Sequence, residues 1–333
     1  MTSLYLITGA AGHLGSTIAR QLVAQGKTVR GFDLNSAQNM PDGVERYDGN
    51  ITDPDSLTNF LARPNENTKL IVIHCAGLVT IVSHNDPRVY AVNVLGTKTV
   101  LTAAIEAGVD KYVQVSSVHA IPEQPSGQTI TEVKDFDPAR VIGLYAKTKA
   151  EASHYVMETA TAAGLDFTIV HPSGLVGPYD DGHGHISALV IDYCCGKLTS
   201  GVKGGYDFAD VRDVATGVIA AAEKGESGEC YILSNQYFQV KDLLDLTSQI
   251  THRKPIRNYL PIWFVKLTAP LSELYYKLRK VPPLYTSYSI YTLESNSSFS
   301  HDKATRELGY TTRPMRETLR DTIGWFREIG KIA

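Results

Sequence analysis

The sequence predicts an α/β fold built on a doubly wound parallel sheet with helices on both faces. Three observations support this prediction. Short β-branched runs alternate with helical patterns in the first half of the chain, which is typical of parallel βαβ units. Several of these runs lack polar alternation, as expected of strands that are covered on both faces. After about residue 175 strands become sparse and helical patterns dominate, which predicts a smaller, mainly helical C-terminal lobe.

Strands and helices alternate along the first half of the chain. The predicted strands are 4–8, 28–33, 70–75, 111–116 and 166–171. Helices are predicted at 12–26, from the Asp53-Pro54 capping pair, at 89–108, 143–163, 184–196, 210–224, 240–251, 262–279 and 314–329. We therefore expect an N-terminal domain at 1–174 and a C-terminal lobe at 175–333, with segments such as 210–224 returning to the first. The cleft between them, at the carboxyl ends of the strands, is the expected functional site.

Composition favours a globular protein that neither binds nucleic acid nor spans a membrane. The hydrophobic fraction is 43% and the net charge is −3, with acidic and basic residues mixed along the chain. The N-terminus lacks the basic region of a signal peptide, and no apolar run reaches the length of a membrane span. The four cysteines lack the spacing of a metal site or a disulfide framework: they are Cys75, Cys194, Cys195 and Cys230. We expect reduced thiols in a cytoplasmic protein.

The stretch TGAAGHLG (8–15) lies between the first strand and the first helix. Gly9, Gly12 and Gly15 allow a tight turn and a close approach of the backbone to a pyrophosphate at the helix N-terminus. Asp33 ends the second strand, where a carboxylate accepts hydrogen bonds from the ribose of NAD and repels the 2′-phosphate of NADP. The sequence thus predicts a Rossmann-type, NAD-binding domain, with NADP less favoured. A turn without a ligand is the alternative.

GLYAKTKAE (143–151) carries a second candidate motif. Tyr145 and Lys149 are four residues apart and share a helix face, whereas Lys147 points away. An adjacent ammonium and a nicotinamide ring would lower the pKa of a phenol and make it a usable base. VSSVHA (115–120) places two serines at a strand end, where a hydroxyl can bond a substrate oxygen. The alternatives are a packed aromatic residue and serines that only cap a loop.

Together these motifs resemble the extended short-chain dehydrogenase/reductase superfamily, nearly from end to end. The landmarks are TGAAGHLG (8–15), Asp33, DGNITD (48–53), HCAG (74–77), NVLGT (93–97), VSS (115–117), YAKTK (145–149), HPSGLVGP (171–178), DVRDVA (210–215) and the closing segment 301–326. The resemblance implies that Tyr145 is the acid/base, that Lys149 holds the nicotinamide ribose, and that Ser117 rather than Ser116 binds the substrate oxygen.

The resemblance also implies a set of cofactor contacts. These are Gly9, Gly12, His13, Leu14, Gly15, Asp33, Asn50, Ile51, Ala76, Gly77, Lys149, Pro172 and Leu175. Two positions depart from the family pattern, because Asn50 stands where aspartate is usual and His171 where arginine is usual. The side-chain oxygen of Asn50 can still accept a hydrogen bond from adenine, so NAD remains the expected cofactor.

The substrate branch is predicted from one glycine and one aromatic stretch. Nucleotide-sugar epimerases and dehydratases have asparagine where Gly174 stands, and HPSGLVGP looks more like 3β-hydroxysteroid dehydrogenases and dihydroflavonol reductases. Apolar residues crowd 256–291: Trp263, Phe264, Leu267, Leu271, Leu274, Tyr275, Tyr276, Leu284, Tyr285, Tyr288 and Tyr291. They favour a steroid- or flavonoid-like alcohol or ketone. Ordinary core packing is the alternative for these residues, and contact of 259–276 with a membrane surface is a further one.

Further expectations complete the sequence-based account. Candidate substrate contacts are Val79, His119, Ser173 and His183. YDDGHGH (179–185) has possible metal ligands, but hydride transfer needs no metal, and none is expected. The leading prediction is an NAD-dependent oxidoreductase acting on a small molecule. A nucleotide-sugar epimerase and a non-catalytic dinucleotide sensor are the alternatives. The resemblance also implies a homodimer through 89–108 and 143–163.

Overall fold

The computed structural model describes residues 2–34, 40–80, 86–181, 184–267 and 287–332. Its strands are β1 (Thr2–Thr8), β2 (Thr28–Asp33), β3 (Glu45–Asp48), β4 (Thr68–His74), β5 (Lys111–Val115), β6 (Phe167–Pro172), β7 (Gly174–Val176), β8 (Gly201–Val202), β9 (Gly205–Asp210), β10 (Glu229–Leu233), β11 (Gln236–Gln239) and β12 (Tyr259–Leu260). Seven form one sheet in the order β10-β6-β5-β4-β1-β2-β3. All neighbours in it are parallel, and the chain winds outward from β1 in both directions, so the predicted fold class is confirmed.

The helices follow the predicted alternation closely. They are α1 (His13–Ala24), α2 (Pro54–Leu57), α3 (Pro87–Tyr90), α4 (Thr97–Glu106), α5 (Leu144–Ala162), α6 (His185–Cys194), α7 (Val211–Lys224), α8 (Val240–Thr251), α9 (Ser287–Glu294), α10 (Asp302–Leu308) and α11 (Met315–Glu328). The side chain of Asp53 caps α2 by accepting a bond from the Asp55 N–H, as the Asp-Pro pair predicts. The helix predicted at 262–279 falls largely outside the described residues.

The stretch 89–108 is not one regular helix. A π-helical segment, Ala91–Gly96, separates α3 from α4 and carries Asn93. The buried Asn93 amide bonds both the N–H and the carbonyl of Leu78. The π-helical turn thus lies where the Asn93 side chain binds the loop after β4. Such turns are frequent at functional sites.

Two strands of the main sheet, β3 and β10, were not predicted. β3 is short and carries charged, partly exposed residues, so it lacks the apolar run of a buried strand. β10 comes from the second half of the chain and pairs with β6 at the sheet edge. α7 precedes it and packs Val214 and Val218 into the same core as Ile18 and Leu22 of α1. The division of the chain near residue 174 stays a prediction.

The second half adds a smaller unit beside the carboxyl ends of the sheet. β7, β9 and β11 form a three-stranded sheet, and β8 pairs with β12. α6, α8 and α11 pack on it around a separate core that includes Phe208, Val190, Leu243, Leu319 and Phe326. β7 follows β6 directly, so one continuous segment carries the chain from the main sheet into this unit.

An ion pair fastens α11 to α7. Arg313 donates to the largely buried Asp213 carboxylate from both its backbone N–H (2.7 Å) and its Nε (2.8 Å). Arg313→Ala should therefore lower the free energy of unfolding by about 2 kcal/mol, because the buried carboxylate loses its charged partner although it keeps the bond from the backbone N–H. Urea denaturation measures the change. Arg306→Ala is the matched control, since Arg306 pairs with Glu307 at the surface, and an equal loss in both variants would contradict this interpretation.

Candidate active site

The glycine loop after β1 is shaped by close contacts between backbone segments. Gly9 has a φ of +68°, and a Cβ built there would lie 2.7 Å from the backbone of Ala76. A Cβ on Gly15 would lie 2.1 Å from the carbonyl oxygen of Gly9. No side chain caps the N-terminus of α1, which begins after Gly12. The loop therefore leaves backbone N–H groups of the first turn available to an anion.

Asp33 lies against this loop at the end of β2. Its Oδ2 accepts a hydrogen bond from the Ala11 N–H (3.0 Å) and its Oδ1 one from the Leu34 N–H (2.8 Å). Among the described residues, each oxygen accepts one such bond and keeps a further lone pair. Gly49 donates its N–H to the Asp33 carbonyl (3.0 Å), which places Asn50 on the same side of the sheet. The arrangement suits a ribose bound through its hydroxyls, with a base beyond it.

The close approach at Gly9 gives a direct prediction. Gly9→Ala should raise the dissociation constant for NAD at least about 100-fold, because a methyl group at positive φ would push the loop away from Ala76. Equilibrium dialysis measures the affinity. Gly108→Ala is the matched control: its φ is +64°, but no atom lies within 4 Å of the added Cβ. Equal loss of NAD affinity in both variants would contradict a role of the Gly9 contact.

Ser117, Tyr145 and Lys149 come together at the carboxyl end of β5. All three side chains are buried, and the Ser117 hydroxyl accepts the His119 N–H (3.3 Å) close to Tyr145. Lys149 donates from Nζ to the Val115 carbonyl (3.0 Å), while Lys147 is exposed. The Ser116 hydroxyl instead pairs with Ser153 on α5 (2.7 Å). The roles expected of Ser117 rather than Ser116, and of Lys149 rather than Lys147, stay predictions.

Burial dominates the electrostatics of the site. It raises the pKa of Tyr145 to about 12, and the nearby Ser117 hydroxyl opposes this rise. Burial lowers the pKa of Lys149 to about 8. Lys149 would lose its proton before Tyr145 does, so in the protein alone the two are not charged together. The lowering of the Tyr145 pKa that sequence reasoning expects therefore stays a prediction for the complex with a cofactor.

A group of buried polar side chains lies next to Lys149. His74 lies between the Thr8 hydroxyl (Nδ1, 2.6 Å) and the Thr97 hydroxyl (Nε2, 3.1 Å). Burial and the charge of Lys149 lower the pKa of His74 to about 3, so this ring is neutral. The amide of Asn93 bonds the Thr148 hydroxyl (3.1 Å) on α5. Sequence reasoning missed both His74 and Asn93 as site residues, although they lie within motifs that it identified.

His171, where the family usually has arginine, lies directly behind Ser117. Its Nδ1 is 3.0 Å from the Ser117 carbonyl, which can only accept, so Nδ1 carries the proton. Burial lowers the pKa of His171 to about 4, and the neutral ring stacks on Phe136 at 5.3 Å. Its Nε2 is buried and has no hydrogen-bond partner in the described part of the chain. His171, in place of the arginine usual in the family, thus bonds the Ser117 carbonyl through a neutral ring.

The substrate side of Tyr145 is aromatic. The ring of His119 meets the Tyr145 ring edge-on at 5.9 Å and stacks on Tyr206 of β9 at 5.5 Å. Tyr288 of α9 completes the wall, and its ring fills the space where a Cβ on Gly143 would lie. His119 was predicted from its place after Ser117, whereas Tyr206 was missed. The alternation of aromatic residues in GYDFAD (205–210) is the signal that could have found it.

The other predicted contacts take varied positions. Asn50 is exposed, and its Oδ1 accepts the Thr52 N–H (3.1 Å), whereas Ile51 packs on Gly96. The Nε2 of His13 lies 2.9 Å from the Pro178 carbonyl, and Leu14 is buried in α1. Pro172 ends β6 and Leu175 lies in β7. The backbone of Gly77 lies near the Nζ of Lys149. Ser173 is buried, and its hydroxyl has no hydrogen-bond partner among the described residues.

Several substrate predictions are only partly tested by the structure. Val79 is 71% exposed beside the site, and His183 lies outside the described residues. Among the described residues of the aromatic stretch at 256–291, Trp263 and Leu267 are exposed, whereas Tyr288 lies close to Tyr145. Tyr291 bonds Glu123; Leu271, Leu274, Tyr275, Tyr276, Leu284 and Tyr285 are outside the described part of the chain.

Three further observations concern the cysteines, possible metal ligands and the character of the helices. All four cysteines are free. In the ranges that the structure describes, no group of three or more His, Cys, Asp or Glu side chains could hold a metal ion. Across the same ranges, the helices are all too short or too polar to cross a bilayer.

Comparison with known proteins places this geometry in a family. The family model described as the NAD dependent epimerase/dehydratase family matches residues 5–234. The chain is 31% identical to sterol demethylase protein B of Methylococcus capsulatus, over 98% of this chain and 99% of that protein. It is 27% identical to a putative dihydroflavonol 4-reductase of Synechocystis, over 100% of this chain and 97% of that protein.

Solved structures show the same architecture. The crystal structure of gox2253 has a TM-score of 0.83 and 32% identity, covering 100% of this chain and 99% of that chain. The UDP-glucose 4-epimerase of Thermus thermophilus in complex with NAD has a TM-score of 0.76 and 23% identity, covering 98% and 99%; this likeness concerns the fold alone. The chain therefore belongs to the NAD dependent epimerase/dehydratase family and is an NAD-dependent enzyme of the extended short-chain dehydrogenase/reductase superfamily.

Proposed function

We propose that the protein interconverts a secondary alcohol and a ketone on a hydrophobic or aromatic, steroid- or flavonoid-like substrate, with NAD as cofactor. The observation that carries this proposal is the grouping of three buried side chains at the carboxyl end of β5: Ser117, Tyr145, and Lys149 on the same helix face as Tyr145. Such a group can exchange a proton with a substrate hydroxyl and stabilise the charge on its oxygen.

The residues around the cleft fit the cofactor. The glycine loop brings backbone N–H groups to the start of α1, and a Cβ on Gly9 or Gly15 would collide with neighbouring backbone. The Asp33 carboxylate faces this loop with lone pairs to spare for ribose hydroxyls, and Lys149 lies beside Gly77 for the second ribose. When bound, NAD accepts the hydride from the carbinol carbon.

The protein's own side chains handle the proton. Tyr145 takes the hydroxyl proton during oxidation and returns it during ketone reduction, while Ser117 bonds the same substrate oxygen. A phenol with a pKa near 12 is a weak base at pH 7, so its pKa must fall in the complex. Lys149, charged below about pH 8, favours the phenolate, and the positive charge of oxidised NAD acts in the same direction.

Gly174 favours this reaction over sugar epimerisation. The nucleotide-sugar branch of the superfamily uses an asparagine here to bind the substrate diphosphate. A Cβ on Gly174 would lie 2.7 Å from the Phe208 ring and 2.9 Å from the Asp207 carbonyl, so a side chain does not fit at this position. The Phe208 ring occupies that space, and Phe208 and Tyr206 together form an aromatic wall of the cleft. An apolar substrate suits such a wall better than a diphosphate does.

The relatives support the same substrate class. Proteins named as a sterol demethylase component and a putative dihydroflavonol reductase match the chain over nearly its whole length. The family name also covers epimerases, so a nucleotide-sugar epimerase is the second candidate. A non-catalytic dinucleotide sensor is disfavoured because Ser117, Tyr145 and Lys149 are all present and adjacent. The homodimer expected through 89–108 and 143–163 is part of the proposal, and size-exclusion chromatography with light scattering tests it.

One assay separates these functions. The purified protein is mixed with NAD or NADP and a panel of hydroxysteroids, dihydroflavonols, simple alcohols and nucleotide sugars, and reduced nicotinamide is followed by absorbance. We expect net NADH from one or more of the hydrophobic alcohols. Interconversion of sugars without net NADH would favour the epimerase, and cofactor binding with no turnover of the panel would favour the sensor.

A further inference from the structure

The side chain of His119 lies between two buried tyrosines, and each of its ring nitrogens faces a phenol oxygen. Nε2 is 3.1 Å from the Tyr206 hydroxyl, and Nδ1 is 3.4 Å from the Tyr288 hydroxyl. His119 follows β5, Tyr206 lies in β9 and Tyr288 in α9, so this cluster is assembled only by the tertiary fold. The same histidine ring touches Tyr145, which places the cluster on the substrate side of the acid/base residue.

One phenol of this cluster has a hydroxyl proton but no acceptor for it among the described residues. A neutral imidazole has one N–H and one bare nitrogen, so His119 accepts a bond from one tyrosine and donates to the other. The tyrosine that accepts from His119 keeps its own O–H proton. Within the described ranges, Tyr206 and Tyr288 have no hydrogen-bond partner besides His119. A buried hydroxyl proton without an acceptor costs about 1–3 kcal/mol, which a ligand oxygen at this position would recover.

The cluster is uncharged at neutral pH. Burial lowers the pKa of His119 to about 4 and raises the pKa of both tyrosines. A charge on Tyr145 raises the pKa of Tyr288 further, because the two phenols lie close enough to interact. Neutral donors of this kind suit a hydroxyl or carbonyl oxygen. Carboxylates and phosphates are more often held by arginine or lysine.

We propose that Tyr206 and Tyr288, oriented by His119, bind a second, uncharged oxygen of the substrate near the carbon that is oxidised. This inference rests on the proposed function, because Ser117 and Tyr145 take the reacting oxygen of the same molecule. The spare phenol proton then bonds the neighbouring hydroxyl or carbonyl. The preferred substrate is thus an apolar ring that carries two nearby neutral oxygens, rather than a simple alcohol or a β-hydroxy carboxylic acid.

Three ring compounds test this site on the full chain: cyclohexanol, trans-cyclohexane-1,2-diol and trans-2-hydroxycyclohexanecarboxylate. Affinities are measured by calorimetry with the protein saturated with NADH, so that alcohol binding requires no turnover. We expect the diol to bind about tenfold more tightly than cyclohexanol, and the carboxylate no more tightly than cyclohexanol, since one neutral hydrogen bond separates the first two.

Variants that each lack one tyrosine hydroxyl test whether the preference for the diol over cyclohexanol depends on the His119 cluster. Tyr206→Phe and Tyr288→Phe keep the ring contacts with His119 and Gly143, and each should bring the diol-to-cyclohexanol ratio close to one. Tyr193→Phe is the matched control, because its hydroxyl bonds the Lys254 carbonyl (2.9 Å) in a different part of the chain and the ratio should not change. Thermal unfolding of each variant identifies any that fails to fold, and the remaining variant then carries the test.

The results separate this inference from the proposed function. Equal binding of the diol and cyclohexanol, no measurable binding of either, tighter binding of the carboxylate, or an unchanged ratio in the folded phenylalanine variants would each overturn the second-oxygen site. Oxidation of the same probes with NAD is followed separately by absorbance. A preserved binding ratio without NADH formation from any alcohol supports the oxygen site and counts against the proposed reaction.

Discussion

Tyr145→Phe is expected to reduce turnover about 1,000-fold while leaving NAD affinity nearly unchanged. Phenylalanine keeps the ring that packs against His119, so the wall of the site should survive. The substitution removes the only group that the proposed mechanism assigns to proton exchange with the substrate, and such groups contribute about 10²–10⁴-fold. Steady-state kinetics with the best hydrophobic alcohol, together with NAD titration, measures both quantities.

The nearby Tyr112→Phe provides a control for this prediction. Tyr112 is fully buried in β5 and its hydroxyl bonds Gln114 within the sheet (3.1 Å), away from the substrate side. We expect a small loss of stability and no comparable loss of turnover. Unchanged turnover in Tyr145→Phe would rule out Tyr145 as the acid/base.

Lys149→Met should lower kcat/KM at pH 7 about 100-fold and raise the KM for NAD about tenfold. Methionine has a similar length and fits a buried position, so the main loss is the charged amine next to Gly77 and the Val115 carbonyl. Without this cation the phenolate of Tyr145 is less stable, and the ribose loses a donor. Kinetics at varied NAD concentration separates the two effects.

The pH dependence of this variant has a defined direction. Burial lowers the pKa of Lys149 to about 8, so the amine is charged at pH 7 and loses its charge as the pH rises through that value. A cation favours the deprotonated phenol, so its removal raises the Tyr145 pKa in the complex. The rise of oxidation rate with pH should therefore move to higher pH in Lys149→Met. The exposed Lys147→Ala should show the parent profile, and an equal shift in both variants would contradict the assignment.

Helix spacing and strand alternation predicted most of what positions Tyr145, the proposed acid/base group. The i to i+4 spacing separates Lys149, which is buried, from Lys147, which is exposed. The position of the serines at the end of β5 predicted that one of them, Ser117, lies close to Tyr145, and the glycine loop predicted the start of α1. These inferences succeed because each depends on local periodicity within one element and on the common edge of a parallel sheet.

Other parts of the site depend on long-range packing and left little trace in the sequence. Tyr206 faces His119 only because β9 folds back beside β7, and no local pattern of polarity requires that pairing. β10 joins the main sheet across a long stretch of chain, so sequence order gave no indication of its neighbour β6. The role of His171 likewise required the structure, because its Nδ1 bonds the carbonyl of Ser117, which follows the neighbouring strand β5.

Hydride transfer itself is the most direct test of the proposed chemistry. The protein, saturated with NAD, is incubated with the best secondary alcohol of the panel carrying deuterium on its carbinol carbon, and the reduced cofactor is analysed by mass spectrometry. We predict that the cofactor gains one deuterium for each ketone formed, and that Tyr145→Phe abolishes this gain. Turnover of a nucleotide sugar with no net labelled NADH, or NAD binding with no transfer from any alcohol of the panel, would contradict the proposed function.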